Sequence, residues 1–288
     1  MRKEDIVKIA KFLAAALLGL SMAGAAHADE KKWTKINIAT EGAFRPWNYT
    51  NADGSLGGFE VDLYKDLCAR MKVECTMTAQ PFDSLIPALN AGKFDAIIAG
   101  MSATPKREQV ISFSVPYGTT GQTFATLKDS DLAKMPDKGE VFSLATNEAG
   151  AAAEVEKLKP LLKGKVIGVQ TASIAETWLN KYLKDTVEIR EYKTTEEHDL
   201  DLLAGRIDLT IASMAYLSTA AAKPGNEDMV VVGPRFQGGM LGRGSSVGMR
   251  KGDTELKAMF DKAIGEAQAD GTIKKLSAKY FGFDVTPR

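Results

Sequence analysis

Two cysteines and two histidines are all that 288 residues contain of either type, and that scarcity removes several chemistries at once. His27 lies in the N-terminal segment discussed below, so His198 stands alone, which leaves no set for a His-based metal centre or catalytic triad. Cys68 and Cys75 lack the Cys-x-x-Cys spacing of a redox or metal pair, and no further ligand accompanies them. The longest apolar run, Phe12 to Leu20, is too short to span a bilayer. Basic and acidic residues number 37 each, so nothing calls for a nucleic acid or an anionic membrane surface as partner.

What the chain does have begins with its first 28 residues. Arg2, Lys3, Lys8 and Lys11 precede the apolar run, and small residues lead to Ala26-His-Ala28. This order of basic, apolar and small-x-small is that of a secretory signal, with cleavage expected after Ala28 and no following cysteine to take a lipid. The first 28 residues carry four basic and two acidic groups, so the exported remainder of 260 residues has a net charge of −2. Such a length buries a substantial core as one or two domains. In an exported chain an isolated pair of cysteines reads as one local disulfide, here tying the end of a helix to the next strand.

The exported part alternates strands with helices. Ile36–Thr40 reads as a strand, and Phe59, Leu63, Tyr64, Leu67 and Met71 mark one face of a helix. Val73–Thr78 reads as a second strand, Leu85–Leu89 as a short helix and Phe94–Ala99 as a buried strand. This pattern predicts an α/β layered fold with mainly parallel sheets. Residues 128–165, rich in Ala, Lys, Glu and Asp, read as a surface excursion with a helix from about Ala149. Ser246–Met249 reads as a strand, followed by an amphipathic helix that Asp270-Gly271 stops and by a last helix holding Ile273, Leu276 and Tyr280.

An internal echo suggests two similar lobes. Ala91-Gly-Lys-Phe-Asp95, followed by Ile98-Ala99, recurs as Ala204-Gly-Arg-Ile-Asp208, followed by Ile211-Ala212. Under this alignment Gly100 corresponds to Ser213, both just past the carboxyl end of a strand, where open α/β sheets bind ligands.

The run Met101-Ser-Ala-Thr-Pro-Lys-Arg107 places a cation where a helix disfavours one. Thr104 reads as the N-cap, Pro105 as the first helical residue and Arg107 as the third. The positive pole of the helix dipole makes a guanidinium mildly unfavourable there unless an anion joins it. Backbone N–H groups, the Ser102 hydroxyl and the Arg107 fork together make a carboxylate receptor. A second helix opens at Ser173, with Glu176 completing a capping box.

Several segments, in order, resemble the polar amino-acid binding proteins of bacterial ATP-driven importers. They are Ala39-Thr-Glu-Gly-Ala-Phe-Arg-Pro-Trp47, Gly58-Phe-Glu-Val-Asp-Leu63, Phe82-Asp-Ser-Leu-Ile-Pro-Ala-Leu89, the Met101–Arg107 run, Phe113-Ser-Val-Pro-Tyr117, Gly248-Met-Arg-Lys-Gly-Asp-Thr-Glu-Leu256 and Asp270-Gly-Thr-Ile273. Within that family the likeness is to the binders of octopine and nopaline, which are arginine-derived opines. The resemblance implies a type II periplasmic-binding-protein clamshell of two α/β lobes, two hinge crossovers and ligand in the cleft between lobes. Residues 29–119 with 237–288 would form lobe 1 and residues 123–232 lobe 2, with crossovers near 119–122 and 233–237.

The same resemblance assigns roles by position. Arg107 grips the ligand α-carboxylate with Ser102 beside it, Phe44 and Phe82 sandwich the ligand side chain, and Glu41 meets its cationic end. Ala99, Gly100, Gln122, Gln170, Ser173, Ile174 and Gly239 complete the expected site. Ser213 occupies the position where binders of free amino acids carry an Asp for the ligand ammonium. A neutral residue there suits the substituted α-nitrogen of an opine. Gln122 stands where the nopaline binder carries Met, which leaves the particular opine open.

The implied protein is a periplasmic monomer that needs no cofactor or metal, breaks no bond and hands its ligand to the membrane permease of an ABC importer. Two alternatives accompany this expectation: a binder of free arginine, ornithine, lysine or histidine, and an enzyme akin to the exported cyclohexadienyl dehydratases.

Overall fold

A computed structural model describes residues 32–287, and the signal segment predicted at residues 1–28 lies outside them. The first strand, β1 (Lys35–Thr40), buries Ile36, Ile38, Ala39 and Thr40, as expected of a strand covered on both faces. Two short strands follow, β2 (Ala43–Phe44) and β3 (Asn48–Thr50), and β4 (Leu56–Gly57) completes a small antiparallel sheet with them. The helix Phe59–Met71 then leads into β5 (Glu74–Ala79), which pairs parallel with β1.

Cys68 and Cys75 are joined in the disulfide expected of them, with Cα atoms 6.2 Å apart. The bridge pins the last turn of that helix to β5. Closing so short a loop removes about 2 kcal/mol of denatured-chain entropy. Reduction is therefore expected to lower the melting temperature by about 5 °C, measurable by calorimetry with and without reductant.

The short helix Leu85–Asn90 precedes β6 (Ala96–Ile97), which is shorter than the predicted strand. Phe94, Ile98 and Ala99 are nonetheless buried beside it. The echo in the sequence is an echo in three dimensions. Asn37 N–H in β1 donates to the Asp95 carboxylate at 3.0 Å, while Asp95 N–H donates to Asn37 O at 2.8 Å. The second copy repeats this, with Val166 N–H donating to Asp208 at 2.8 Å and Asp208 N–H donating to Val166 O at 2.9 Å. Both aspartates precede their strands instead of lying within them, Asp95 clamping β1 to β6 and Asp208 clamping β10 to β12.

The helix Pro105–Glu108 is a single turn, and β7 (Ser112–Gly118) closes the N-terminal series. The chain then passes to a second sheet through β8 (Gln122–Leu127). Residues 128–165 correct the expectation of a surface excursion. Leu132 and Met135 are buried, β9 (Val141–Ser143) pairs with a later strand, and the helix Glu148–Leu162 buries Ala151, Val155, Leu158 and Leu162. Those four positions are helically spaced, but the charged residues between them dilute the pattern.

Next come β10 (Val166–Gln170), the helix Ile174–Tyr182, β11 (Glu188–Tyr192), the helix Thr195–Leu203 and β12 (Leu209–Ser213). The helix Met214–Ala221 and β13 (Met229–Gln237) complete the second sheet. The chain returns to the first through β14 (Ser245–Met249), then ends in the helices Thr254–Ala269 and Thr272–Phe281.

The two sheets have the orders β5-β1-β6-β14-β7 and β11-β10-β12-β8-β13-β9. Each begins with three parallel strands, but β14 and β8 run antiparallel to their neighbours, so the sheets are mixed and not mainly parallel. The reversed strands β8 and β14 are those that arrive from the other sheet. They come without the crossover helix that parallel addition needs.

Residues 233–237 lie within β13, which pairs with β8 and β9. The second connection between sheets therefore runs through 238–244, beyond the predicted 233–237. Gly238, Gly239, Gly242 and Gly244 all have positive φ along it, a path that residues with a Cβ follow only with strain. The sheets carry separate cores, one around Trp47, Phe59, Phe260 and Ile264 and the other around Phe124, Trp178, Val169 and Phe236. No helix among the described residues is long and apolar enough to cross a membrane.

Candidate functional site

The carboxyl ends of β1, β6, β10 and β12 converge on one cavity. From the side of the first sheet come Glu41, Phe44, Phe82, Ala99, Gly100, Ser102 and Arg107, and from the side of the second Gln122, Gln170, Ser173, Ile174 and Ser213. Twelve of the thirteen residues expected at the site thus line one space. Gly239 does not line it. It sits in the turn Gly239–Leu241, where an added Cβ would lie 2.7 Å from Leu144 O. The lining also includes Ala175, Thr195, Ile211 and Ala212, which the sequence analysis did not single out.

Thr104 caps the single-turn helix as expected, its hydroxyl accepting from Arg107 N at 3.2 Å. The Arg107 guanidinium donates to Ser102 O at 3.1 Å and, across the cavity, to Ala172 O at 2.9 Å. It also lies over the Phe82 ring, 5.5 Å from its centre. Among the described residues no carboxylate pairs with it, and burial lowers its pKa to about 10. The Ser102 hydroxyl is committed elsewhere, donating to Leu241 O at 2.8 Å. In this conformation Ser102 meets Arg107 through its carbonyl, not through the hydroxyl expected to share in an anion receptor.

At the other end Glu41 is 7 % exposed. Its Oε1 accepts from Gln170 Nε2, and its Oε2 is buried with no hydrogen-bond partner. The Gln170 amide also donates to Lys193 O at 3.1 Å, which fixes its orientation. Burial pushes the Glu41 carboxyl up to about 8. The cavity is therefore polar at two ends in opposite senses: one carries a cation without an anion, the other a carboxyl without a cation.

Ser213 caps the helix Met214–Ala221, accepting from Tyr216 N at 3.4 Å, and its hydroxyl lies 3.1 Å from that of Thr120. Beyond it a second hollow, sharing Phe44, Gly100, Gln122 and Ser213, extends along Thr119, Thr120 and Gln237. Ser173 caps its helix as predicted, accepting from Glu176 N at 3.1 Å. The Glu176 carboxylate, however, takes Ala172 N–H. The predicted reciprocal box is shifted by one residue because Ala172 has φ +61.

Phe44 stacks on Tyr216 with ring centres 5.1 Å apart. Phe44 and Phe82 line the same cavity, but Phe44 takes its ring partner from the helix Met214–Ala221. Gly100, with φ +61, leaves room for this, since an added Cβ would lie 2.8 Å from Phe44 Cε1. Gly100→Ala is expected to cost about 1–2 kcal/mol through backbone strain. It should displace Phe44 from Tyr216 and lower the melting temperature by about 3–6 °C, which a thermal melt with tyrosine fluorescence checks.

Glu60 was missed by sequence reasoning and organises the floor beneath Gly100. Fully buried, it accepts from Asn48 Nδ2 and Gly100 N at 2.6 Å each, and from Tyr117 O–H. Burial raises its pKa and that of Tyr117. The available signal was its spacing: with Leu63, Tyr64 and Leu67 it falls on the apolar stripe of its helix.

Comparison with known proteins adds four findings. The sequence pattern of the bacterial extracellular solute-binding proteins, family 3, matches residues 36–283. The chain is 45 % identical over 305 aligned positions, covering 100 % of both chains, to the octopine-binding periplasmic protein of Rhizobium meliloti. It is 34 % identical to the lysine/arginine/ornithine-binding periplasmic protein of Escherichia coli, covering 93 % of this chain and 95 % of that one. Among solved structures, an ancestral arginine-binding protein bound to arginine superposes with a TM-score of 0.72 at 30 % identity, covering 86 % of this chain and 99 % of its own.

Proposed function

The chain belongs to the bacterial extracellular solute-binding proteins, family 3, and from that premise we propose that it captures an arginine-derived opine of the octopine and nopaline class in the periplasm. The reading rests most on the mismatched ends of the cavity, Arg107 without a carboxylate and buried Glu41 without a cation. A ligand carrying an α-carboxylate and a guanidinium supplies both missing partners at once. Charge-assisted, bidentate geometry at each end then favours arginine-derived compounds over lysine-derived ones.

The opine reading adds the neutral wall. Ser213 and Thr120 present hydroxyls where a free amino acid would need a carboxylate for its ammonium. The hollow beyond them takes the carboxylated arm of an opine among uncharged donors. Free arginine, ornithine, lysine or histidine is the runner-up, disfavoured by the absence of that ammonium partner. The 45 % identity to an octopine-binding protein supports the same choice.

In this proposal residues 32–118 with 245–287 and residues 122–237 move as two lobes about the connections 119–121 and 238–244. Arg107 to Ala172, Gln170 to Glu41 and Thr195 to Ala43 O are the hydrogen bonds that hold the lobes together across the ligand. The closed monomer presents its ligand to the permease of an ABC importer, and no bond is broken. Formation of an aromatic product from prephenate or arogenate would overturn that last statement.

The test is a thermal-shift screen of protein stripped of ligand by unfolding and refolding, against octopine, nopaline, arginine, ornithine, lysine and histidine. At a ligand concentration of about 1,000 Kd, stabilisation reaches about 4 kcal/mol, or roughly 10 °C. Octopine or nopaline is expected to give the largest shift. A response to free amino acids alone would replace the opine reading, and no response to any of them would end it.

A further inference from the structure

Glu41 is set apart from the other acidic groups of the cleft by having a polar atom with nothing to bind. Its Oε1 is clamped by Gln170, while Oε2 is buried without a partner. The charged groups that bear on it from the surrounding elements are Glu60 on the helix Phe59–Met71, Asp83 in the turn Phe82–Ser84 and Glu196 on the helix Thr195–Leu203. All three are acidic. The nearest cation of the cavity, Arg107, is directed at Ser102 O and Ala172 O. A carboxylate in this setting lacks both water and countercharge, so the group is held as the neutral acid.

We infer that Glu41 exchanges a proton for the ligand's cation, and that the same site accepts an uncharged ureido head group while Glu41 keeps its proton. This inference rests on the reading of the cleft as a receptor for arginine-derived ligands. A guanidinium offers only donors, so it requires the carboxylate form: Glu41 loses its proton to solvent as the guanidinium takes its place beside both oxygens. A ureido group, –NH–CO–NH2, offers a carbonyl acceptor beside its N–H donors. The protonated carboxyl matches it, donating one hydrogen bond through its O–H and accepting another at the second oxygen. Citrulline-derived ligands thus form the second class the cavity takes.

The sign of the pH dependence follows. Burial raises the Glu41 carboxyl to about 8, so below that pH each guanidinium bound releases one proton. Affinity for the guanidinium ligand then improves by about tenfold per pH unit between pH 6 and 7, levelling off above 8. Affinity for the ureido ligand is flat over the lower range and weakens above 8. Discrimination between the two heads is therefore set by pH, with the ureido ligand competing best in acid.

The test uses ligand-stripped protein, octopine, and the octopine analogue whose guanidinium is replaced by a ureido group. Titration calorimetry at pH 6, 7 and 8, each in buffers of low and high ionisation enthalpy, reads affinity and protons released together. Octopine should release close to one proton per site at pH 6 and 7 and bind about tenfold more tightly at pH 7 than at pH 6. The ureido analogue should bind at pH 6 with no proton released.

Glu41→Gln should abolish the release and flatten the octopine profile. A release that survives in that variant points to another group and overturns the inference. Octopine binding in the wild-type protein with no release and a flat profile overturns it too, whether or not the variant folds. Failure of both ligands to bind strikes instead at the receptor reading.

Discussion

Arg107→Ala is expected to weaken binding of every α-carboxylated ligand by about three orders of magnitude, within the range for truncating one member of a buried charge pair. The size follows from what remains. With Arg107 gone, a ligand carboxylate enters a cavity whose walls include Phe82, Ala99, Gly100 and the polar but uncharged Gln122 and Ser213. Among the described residues no second cation lines that space, so the ligand gives up its hydration without an ionic replacement.

The ligand-free protein should behave differently. Arg107 makes only two hydrogen bonds to carbonyls, and its charge is already partly desolvated, as the lowered pKa shows. Losing those bonds and relieving that burial act in opposite directions. The unliganded melting temperature is therefore expected to stay within about 2 °C of the wild-type value. Calorimetric binding and melting of the same preparation decide the point. A melting temperature lowered by 8 °C or more would mean that Arg107 serves the fold, and binding as tight as that of the wild-type protein would remove it from the site.

How much of this was legible before the structure depended on the range over which the determining contacts act. Arg107, its Thr104 cap and the Ser173 cap were readable because caps are set within three or four residues. The Asp95 and Asp208 clamps surfaced as an echo because each sits in a compact motif, although the partners, Asn37 and Val166, lie 58 and 42 residues away.

Other features were hidden. The stack of Phe44 on Tyr216 joins positions that no local pattern relates, and Gly239 looked like a lining residue until Leu144 was found against it. The mixed sheets were also unreadable from element order. Alternating strands and helices predict parallel neighbours, whereas β8 and β14 enter their sheets from the opposite lobe and run against them. Glu60 was legible as an anomaly on an apolar stripe, but its hold on Gly100, Asn48 and Tyr117 required the fold.

The selectivity argument turns on Ser213, and Ser213→Asp should invert it. The substitution keeps the local structure, because Asp caps a helix as well as Ser does and can accept from Tyr216 N in the same way. Its charge also suits the amino end of the helix Met214–Ala221. The change is confined to the cavity wall beside the Thr120 hydroxyl, where in the proposed binding mode a carboxylate faces the ligand's α-nitrogen. A free α-ammonium gains a charge-assisted hydrogen bond, which is expected to tighten arginine binding by about tenfold. An opine presents instead a substituted nitrogen bearing a second carboxylate, and the new charge stands in the path of that arm. Like-charge juxtaposition in a desolvated site costs several kcal/mol, so octopine should weaken by about a hundredfold or more. The combined shift in preference, near a thousandfold, is read by titrating both ligands into both proteins at one pH. Equal losses for arginine and octopine would show that Ser213 fills space without reading the α-nitrogen. A change in opposite directions would place specificity on this hydroxyl, because the alternative ligand is admitted by an added attraction while the original is rejected by an added repulsion.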